Sequence, residues 1–344
     1  MSRARTVPDA AERLTGTRPA VSPRATREED PMPVPEALKG RLKAPVIAAP
    51  MFLTSGPDLV VETCNAGLLG TFPALNQRST EGFRDWLHEI QGRLEPHAAP
   101  FGVNLIVHRS NPRLEADLAV CVAEKVPLVI TSLGAVPELV AAVHGYGGLV
   151  FHDVVNARHA RKAAEAGVDG IVAVAAGAGG HAGTLSPFAL VSEIRSFFAG
   201  TIVLSGAMNT GRDVAAARMM GADFAYLGTR FLATEEAQVS EAQKRMVAES
   251  AAADIVYTPK VSGVPASFLR QSLAAAGIDP EGGAAPHLDM ASEAKVWRDV
   301  WSAGQGVGGI SDIPKAAELC RRLIADYREA VSGAAEEARG EGWL

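Results

Sequence analysis

With 344 residues, 47% of them hydrophobic and 21% charged, the chain can bury one barrel-sized domain or two average ones. A net charge of −6 gives no basic footprint for nucleic acid, and no apolar run reaches the ~20 residues of a membrane span. Cys64, Cys121 and Cys320 are far apart and form neither a CxxC nor a grouping with histidine. They read as buried thiols of a reducing, cytoplasmic compartment rather than as a disulfide or metal framework.

Residues 1–31 carry six arginines, no aromatic residue and no apolar stretch, so a disordered leader is expected and not a secretory signal. From residue 44 onward, short apolar runs alternate with longer amphipathic ones. The candidate strands are APVIAAPM (44–51), LLGTF (68–72), FGVNLIV (101–107), PLVITSL (127–133), LVFHDV (149–154), GIVAVAA (170–176), TIVLSGAM (201–208) and FAYLGTRFL (224–232). Several are apolar at nearly every position, the pattern of parallel strands covered on both faces. Between them, stretches such as 112–125 and 156–169 have helical spacing, with Pro112 or Asn156 at their starts, and many helices end at glycine before the next strand, as in AGL, AGV and MGAD.

Eight such units match a (β/α)8 TIM barrel, here assigned to residues 32–253; a doubly wound open sheet is the structural competitor. The rhythm breaks after residue 253. Residues 254–290 read as a loop-and-helix insert, and a last helix near 312–337 is expected to open at Ser311 and Asp312 with Pro314 in its first turn. Residues 254–344 are thus assigned to an insert and C-terminal helices packing on the barrel.

Barrel active sites lie at the C-terminal ends of the strands. That rule selects Pro50 and Met51, Asn104, Thr131 and Ser132, His152, the GAGGHAG loop (177–183), SGAMNTG (205–211) and LGTR (227–230). The last two follow strands 7 and 8, where backbone N–H groups of such barrels often hold a phosphate. GxxxxGK[ST] is absent, and no GxGxxG follows the first strand, so nucleoside-triphosphate and Rossmann chemistry lack their motifs. Neither GxSxG nor HExxH occurs, and no metal site is expected. A lone loop histidine is ordinarily a satisfied polar residue, but glycines on both sides of His181, at a strand's catalytic end, favour a functional role. His152 fits equally well as a hydrogen-bonding residue of the barrel mouth. His88 and His159 read as solvated helix residues.

The motifs APVIAAPM, AGLLG, FGVNL, AGGHAG, SGAMNTGRDVAAARMMGAD, YLGTRFLATEEA and WSAGQGVGGI run in order from about residue 44 to 330. In this they resemble the nitronate monooxygenases, formerly 2-nitropropane dioxygenases. The resemblance implies a TIM barrel with a small helical addition that binds FMN and oxidises alkyl nitronates or nitroalkanes with O2 to a carbonyl compound and nitrite. It implies Pro50 and Met51 lining the flavin, Asn104 bonding its ring, and Gly179 and Gly180 passing close to it. The N–H groups of Gly206, Ala207, Gly228 and Thr229 would hold its phosphate, and His181 would be the general base. A small nitro compound and O2 are then the partners, with neither nucleic acid nor membrane, and with a homodimer left open. Members of the family carry glutamine and glutamate where this chain has Val174 and Gly177, and SGG where it has SGA. The same superfamily includes enoyl-acyl-carrier-protein reductases and NADH:quinone reductases, so an NAD(P)H-dependent flavin reductase is the alternative. A noncatalytic flavin-binding module is the third reading.

Overall fold

Eight short strands close on themselves. In a computed structural model that describes residues 35–282 and 297–340, they are β1 (Val46–Ala48), β2 (Leu69–Pro73), β3 (Gly102–Ile106), β4 (Leu128–Ser132), β5 (Leu149–Val154), β6 (Gly170–Val174), β8 (Thr201–Ser205) and β9 (Phe224–Leu227). All neighbours are parallel, and β9 pairs back onto β1 with Ile47 opposite Tyr226. The fold is a TIM barrel, and each strand coincides with one of the eight apolar runs, β2 passing the end of its run by one residue, Pro73. The expected leader, residues 1–31, and the end of the expected insert, residues 283–290, lie outside the described residues.

Alternation along the strands builds two apolar layers. Ile47, Leu69, Ile130, Phe151, Val172, Val203 and Phe224 fill the barrel interior. Val46, Val103, Val129, Val150, Ile171, Ile202 and Ala225 point outward beneath the helices. A parallel strand buried on both faces therefore has to be apolar throughout, which is why these runs were visible. Packing across the β5–β6 pair is close: a Cβ on Gly170 would stand 2.5 Å from the Phe151 ring.

Several helices start where local chemistry says they should, whereas the one expected from Pro112 begins at Leu114, with no side-chain cap. Pro57, Pro137 and Pro187 occupy first turns, Ser79 and Asn156 cap with their side-chain oxygens, and Thr210 and Asp213 form a capping box. The C-terminal helix Ala316–Glu337 packs against both Pro57–Ala66 and Gly211–Met219. Gly211 is required there, because a Cβ would run into the backbone at Tyr327 and Leu323.

That last helix begins at Ala316, later than its sequence suggests. Asp312 is not a cap: its carboxylate is taken by Arg230, at 2.8 Å, and by Arg322. The first helical N–H, on Ala316, instead donates to Glu236 Oε2 at 2.8 Å. The stretch read as loop-and-helix also contains a hairpin. β10 (Ile255–Thr258) and β11 (Ala266–Leu269) run antiparallel, and β11 pairs with a two-residue strand, β7 (Gly180–His181). Val261, Ala266, Phe268 and Leu273 give this addition its own small apolar core.

Candidate active site

A cavity of about 1200 Å³ opens over the C-terminal ends of the barrel strands. All ten residues singled out for a site line it: Pro50, Met51, Asn104, Gly179, Gly180, His181, Gly206, Ala207, Gly228 and Thr229. His152 lines it too. So does His159, which is half-buried rather than solvated, because the first turn of helix Ala157–Glu165 faces the mouth. His88 behaves as expected, exposed beside Glu124.

The late WSAGQG segment stitches the loops together. Gly180 N–H donates to Ser302 Oγ at 2.8 Å, Gln305 N–H to Gly177 O at 2.9 Å, and Gly304 N–H to Thr229 Oγ1 at 2.9 Å. Approach is so close that a Cβ on Gly179 would stand 2.8 Å from Gly304 N. Gly180 is the opposite case, left-handed at φ 69° with nothing within 4 Å of the site of a Cβ. Gly177 is also left-handed, and the Gln305 amide lies where a side chain at 177 would begin.

After β8, Gly206 and Ala207 have positive φ, 148° and 52°. Successive turns of this kind point backbone N–H groups into one concavity, an anion nest. Among the described residues, the N–H groups of Gly206, Ala207 and Gly228 find no protein acceptor. Thr229 opens a short helix beside them, so its N–H precedes any helical partner. This donor set fits a phosphate, and it needs the backbone alone; an alanine in place of glycine at 207 keeps the N–H while holding a left-handed conformation.

His181 stands edge-on to Trp297, with ring centroids 5.3 Å apart, and its Nε2 lies 3.4 Å from Ser262 Oγ. Burial pulls its pKa down to about 4, so the ring is neutral at pH 7. His152 is also pulled down to about 4, by burial and then by the charge of His159, and its Nδ1 lies 2.7 Å from Thr131 Oγ1. Asp153 goes the other way: burial raises its carboxyl to about 6 against the opposing hydrogen bond from Ser132. Reasoning from motifs missed Asp153, Tyr226, Trp297 and Ser262. A carboxylate beside His152 in the LVFHDV run was the available signal for the first; the others carry none, being ordinary residues in ordinary contexts.

Fold and cavity define a (β/α)8 barrel whose backbone donors and buried histidine gather at one mouth. The profile of the nitronate monooxygenase family matches residues 36–326. A nitronate monooxygenase of Paraburkholderia phytofirmans is 27% identical over 83% of this chain and 93% of that protein. Relatives from Rhodococcus jostii and Mycobacterium tuberculosis, named (3aS,4S,5R,7aS)-5-hydroxy-7a-methyl-1-oxo-octahydro-1H-indene-4-carboxyl-CoA dehydrogenase, are 30% and 29% identical over 67% of this chain. The chain spans 63% and 64% of their lengths. Nitroalkane oxidase from Streptomyces ansochromogenes superposes with a TM-score of 0.76 at 25% identity, covering 86% of this chain and 99% of that one. FabK from Thermotoga maritima gives 0.74 at 24% identity over 89% and 99%, a likeness of fold alone. The chain belongs to the nitronate monooxygenase family.

Proposed function

We propose that the protein is an FMN-dependent oxidoreductase that converts alkyl nitronates, and nitroalkanes once deprotonated, with O2 to a carbonyl compound and nitrite. The observation that carries this reading is the meeting, in one cavity, of a backbone phosphate nest, Asn104 and a buried neutral histidine. FMN, when bound, supplies the electron chemistry between nitronate and O2. Gly206, Ala207, Gly228 and Thr229 receive its phosphate through their N–H groups. Asn104 bonds the ring, and Pro50, Met51, Gly179 and Gly180 line it. His181 takes the α-proton of a neutral nitroalkane; its neutral ring is ready to accept one at pH 7. Family membership and the nitroalkane oxidase fold support the same chemistry.

A second reading, dehydrogenation of a CoA thioester, has its own support. The CoA-ester dehydrogenase relatives point to it. The cavity also exceeds the ~300–1,000 Å³ that one drug-sized ligand occupies. His159 and Lys162 on one helix face line its edge, where an anionic tail would lie.

The test is anaerobic. The flavin spectrum of the purified protein is recorded after adding propyl-2-nitronate, with NADH and a cyclic carboxyl-CoA ester in parallel cuvettes. Bleaching by the nitronate, then nitrite release on admitting air, supports the monooxygenase. Bleaching by NADH or by the thioester, with no response to nitronate, overturns it and promotes the reductase or the dehydrogenase.

A further inference from the structure

Three neighbouring strands carry a directed hydrogen-bond chain at the cavity floor. Asn104 of β3 lies 3.2 Å from Ile130 O through its Nδ2, and a carbonyl only accepts, so this contact requires the amide nitrogen there. The same Nδ2 reaches Ser132 Oγ of β4 at 2.8 Å, which uses its second N–H. Having accepted that bond, Ser132 donates its one O–H to Asp153 Oδ2 of β5 at 2.6 Å. The parallel register brings this about, since Asn104 pairs with Ile130, Ile106 with Ser132, and Thr131 with His152.

Both N–H groups of Asn104 are therefore committed away from the cavity. Its Oδ1 has no protein donor among the described residues and is the one polar atom the side chain can offer a ligand. If the Ser132 hydroxyl turned round, it would give its proton to Asn104 and favour the flipped amide. An acceptor-only carboxylate at the far end prevents that.

We propose that Asp153 is a positioning residue that, through Ser132, makes Asn104 an obligate acceptor towards the cavity, so that the site selects a ring edge bearing an imide N–H. The flavin pyrimidine presents such a group at N3, and the inference rests on the flavin reading above. Asp153 has no other purpose evident in its contacts: among the described residues its Oδ1 is buried without a partner, as is the Tyr226 hydroxyl of β9, on which the Asp153 charge acts. Its neighbours are Ser132, Tyr226 and the apolar Val172 of β6; His152 belongs to the other face of β5, bonded to Thr131. Among the described residues, no lysine or arginine acts on it. Because burial holds its carboxyl at about 6, the chain is directed above that pH and loses its direction as Asp153 gains a proton below it.

The experiment strips flavin from the full-length protein and titrates it with FMN and with 3-methyl-FMN from pH 5 to 8. The wild type should bind FMN at least tenfold more tightly than 3-methyl-FMN at pH 8, and that preference should fall towards pH 5. Asp153→Asn should bind FMN about tenfold more weakly at pH 8, with little preference between the two flavins at any pH. Ser132→Ala, with the carboxylate intact, should lower the preference by less than Asp153→Asn, since Ile130 O still holds one N–H of Asn104 and no hydroxyl is left to donate to it. The preference is read within each protein, because the flavin phosphate titrates near pH 6 in both ligands alike. Wild-type preference and pH profile retained in Asp153→Asn would overturn the relay alone. Failure of the wild type to bind either flavin would overturn the flavin reading and the relay with it.

Discussion

If His181 is the base proposed above, replacing it by glutamine in the flavin-loaded protein should separate two reactions that share every other step. A neutral nitroalkane has to lose its α-proton inside the cavity; a nitronate arrives without it. A positioned base contributes roughly 10²–10⁴-fold, so bleaching of the flavin by 2-nitropropane should slow by that factor. Bleaching by propyl-2-nitronate should stay within about threefold, the size of a polar contact rather than of a proton transfer. The structure also sets the pH profile. Burial moves the ring from its ordinary 6.5 to about 4, which makes the protonated form roughly 300-fold rarer at a given pH. The base is therefore competent across pH 5–8, and the acid limb of the nitroalkane reaction should lie near 4 instead of near 6.5. Anaerobic stopped-flow traces of flavin absorbance, for both substrates and both proteins from pH 4 to 8, measure all of this. Equal losses on the two substrates, or a limb near 6.5 in the wild type, would refute the assignment of His181 as the base.

Three other outcomes follow from the geometry. Gly179→Ala would put a Cβ 2.8 Å from Gly304 N and 3.0 Å from Ala303 C; both are backbone, so the loops have to part. Flavin retained per protein after gel filtration should fall at least tenfold, the roughly 1.4 kcal/mol that a tenfold loss represents; an unchanged ratio would contradict the stitched-loop account. Ala207→Gly relieves a left-handed alanine, worth ~1–2 kcal/mol, against an entropic cost of roughly 0.5–1 kcal/mol. A net gain of about 0.5 kcal/mol and a Tm higher by about 1–2 °C is expected, and a lower Tm would show that the loop draws on the Ala207 methyl. His152, at about 4 when folded and near 6.5 when unfolded, stays neutral while the unfolded chain takes up a proton. Stability is thus lost on acidification from about 6.5 towards 4, by about 2 kcal/mol at pH 5. Asp153 acts with the opposite sign, so the comparison is with His152→Gln: urea midpoints of the two proteins should converge between pH 7.5 and 5, and parallel midpoints would refute it.

How far the sequence carried the reading depends on what each feature is made of. A strand of a closed parallel barrel is buried on both faces, so its apolar character is written in consecutive residues, and LVITS or GIVAV can be recognised without their partners. The loops after β6, β8 and β9 were legible for a similar reason: their glycines answer to backbone geometry within a few residues. The helix start at Asn156 was legible because a local side chain caps it. The start at Ala316 was not, because Arg230 and Arg322 draw Asp312 away and a distant glutamate does the capping.

The environment of His181 belongs to the same class. Its strand partner, its ring neighbour and its hydroxyl neighbour are Ala266, Trp297 and Ser262, all some eighty residues or more along the chain. His159 shows the converse, a helix residue of ordinary pattern that lines the cavity only because of where its helix sits on the barrel. By itself, then, the sequence determined the barrel, its eight strands and the residues ranged around its mouth, since burial on two faces and left-handed turns constrain residue types locally. Which of those residues meet is set by strand register and long-range packing. Asn104, Ser132 and Asp153 stand about a strand–helix unit apart in sequence, and the register of β3, β4 and β5 alone brings them within hydrogen-bond distance.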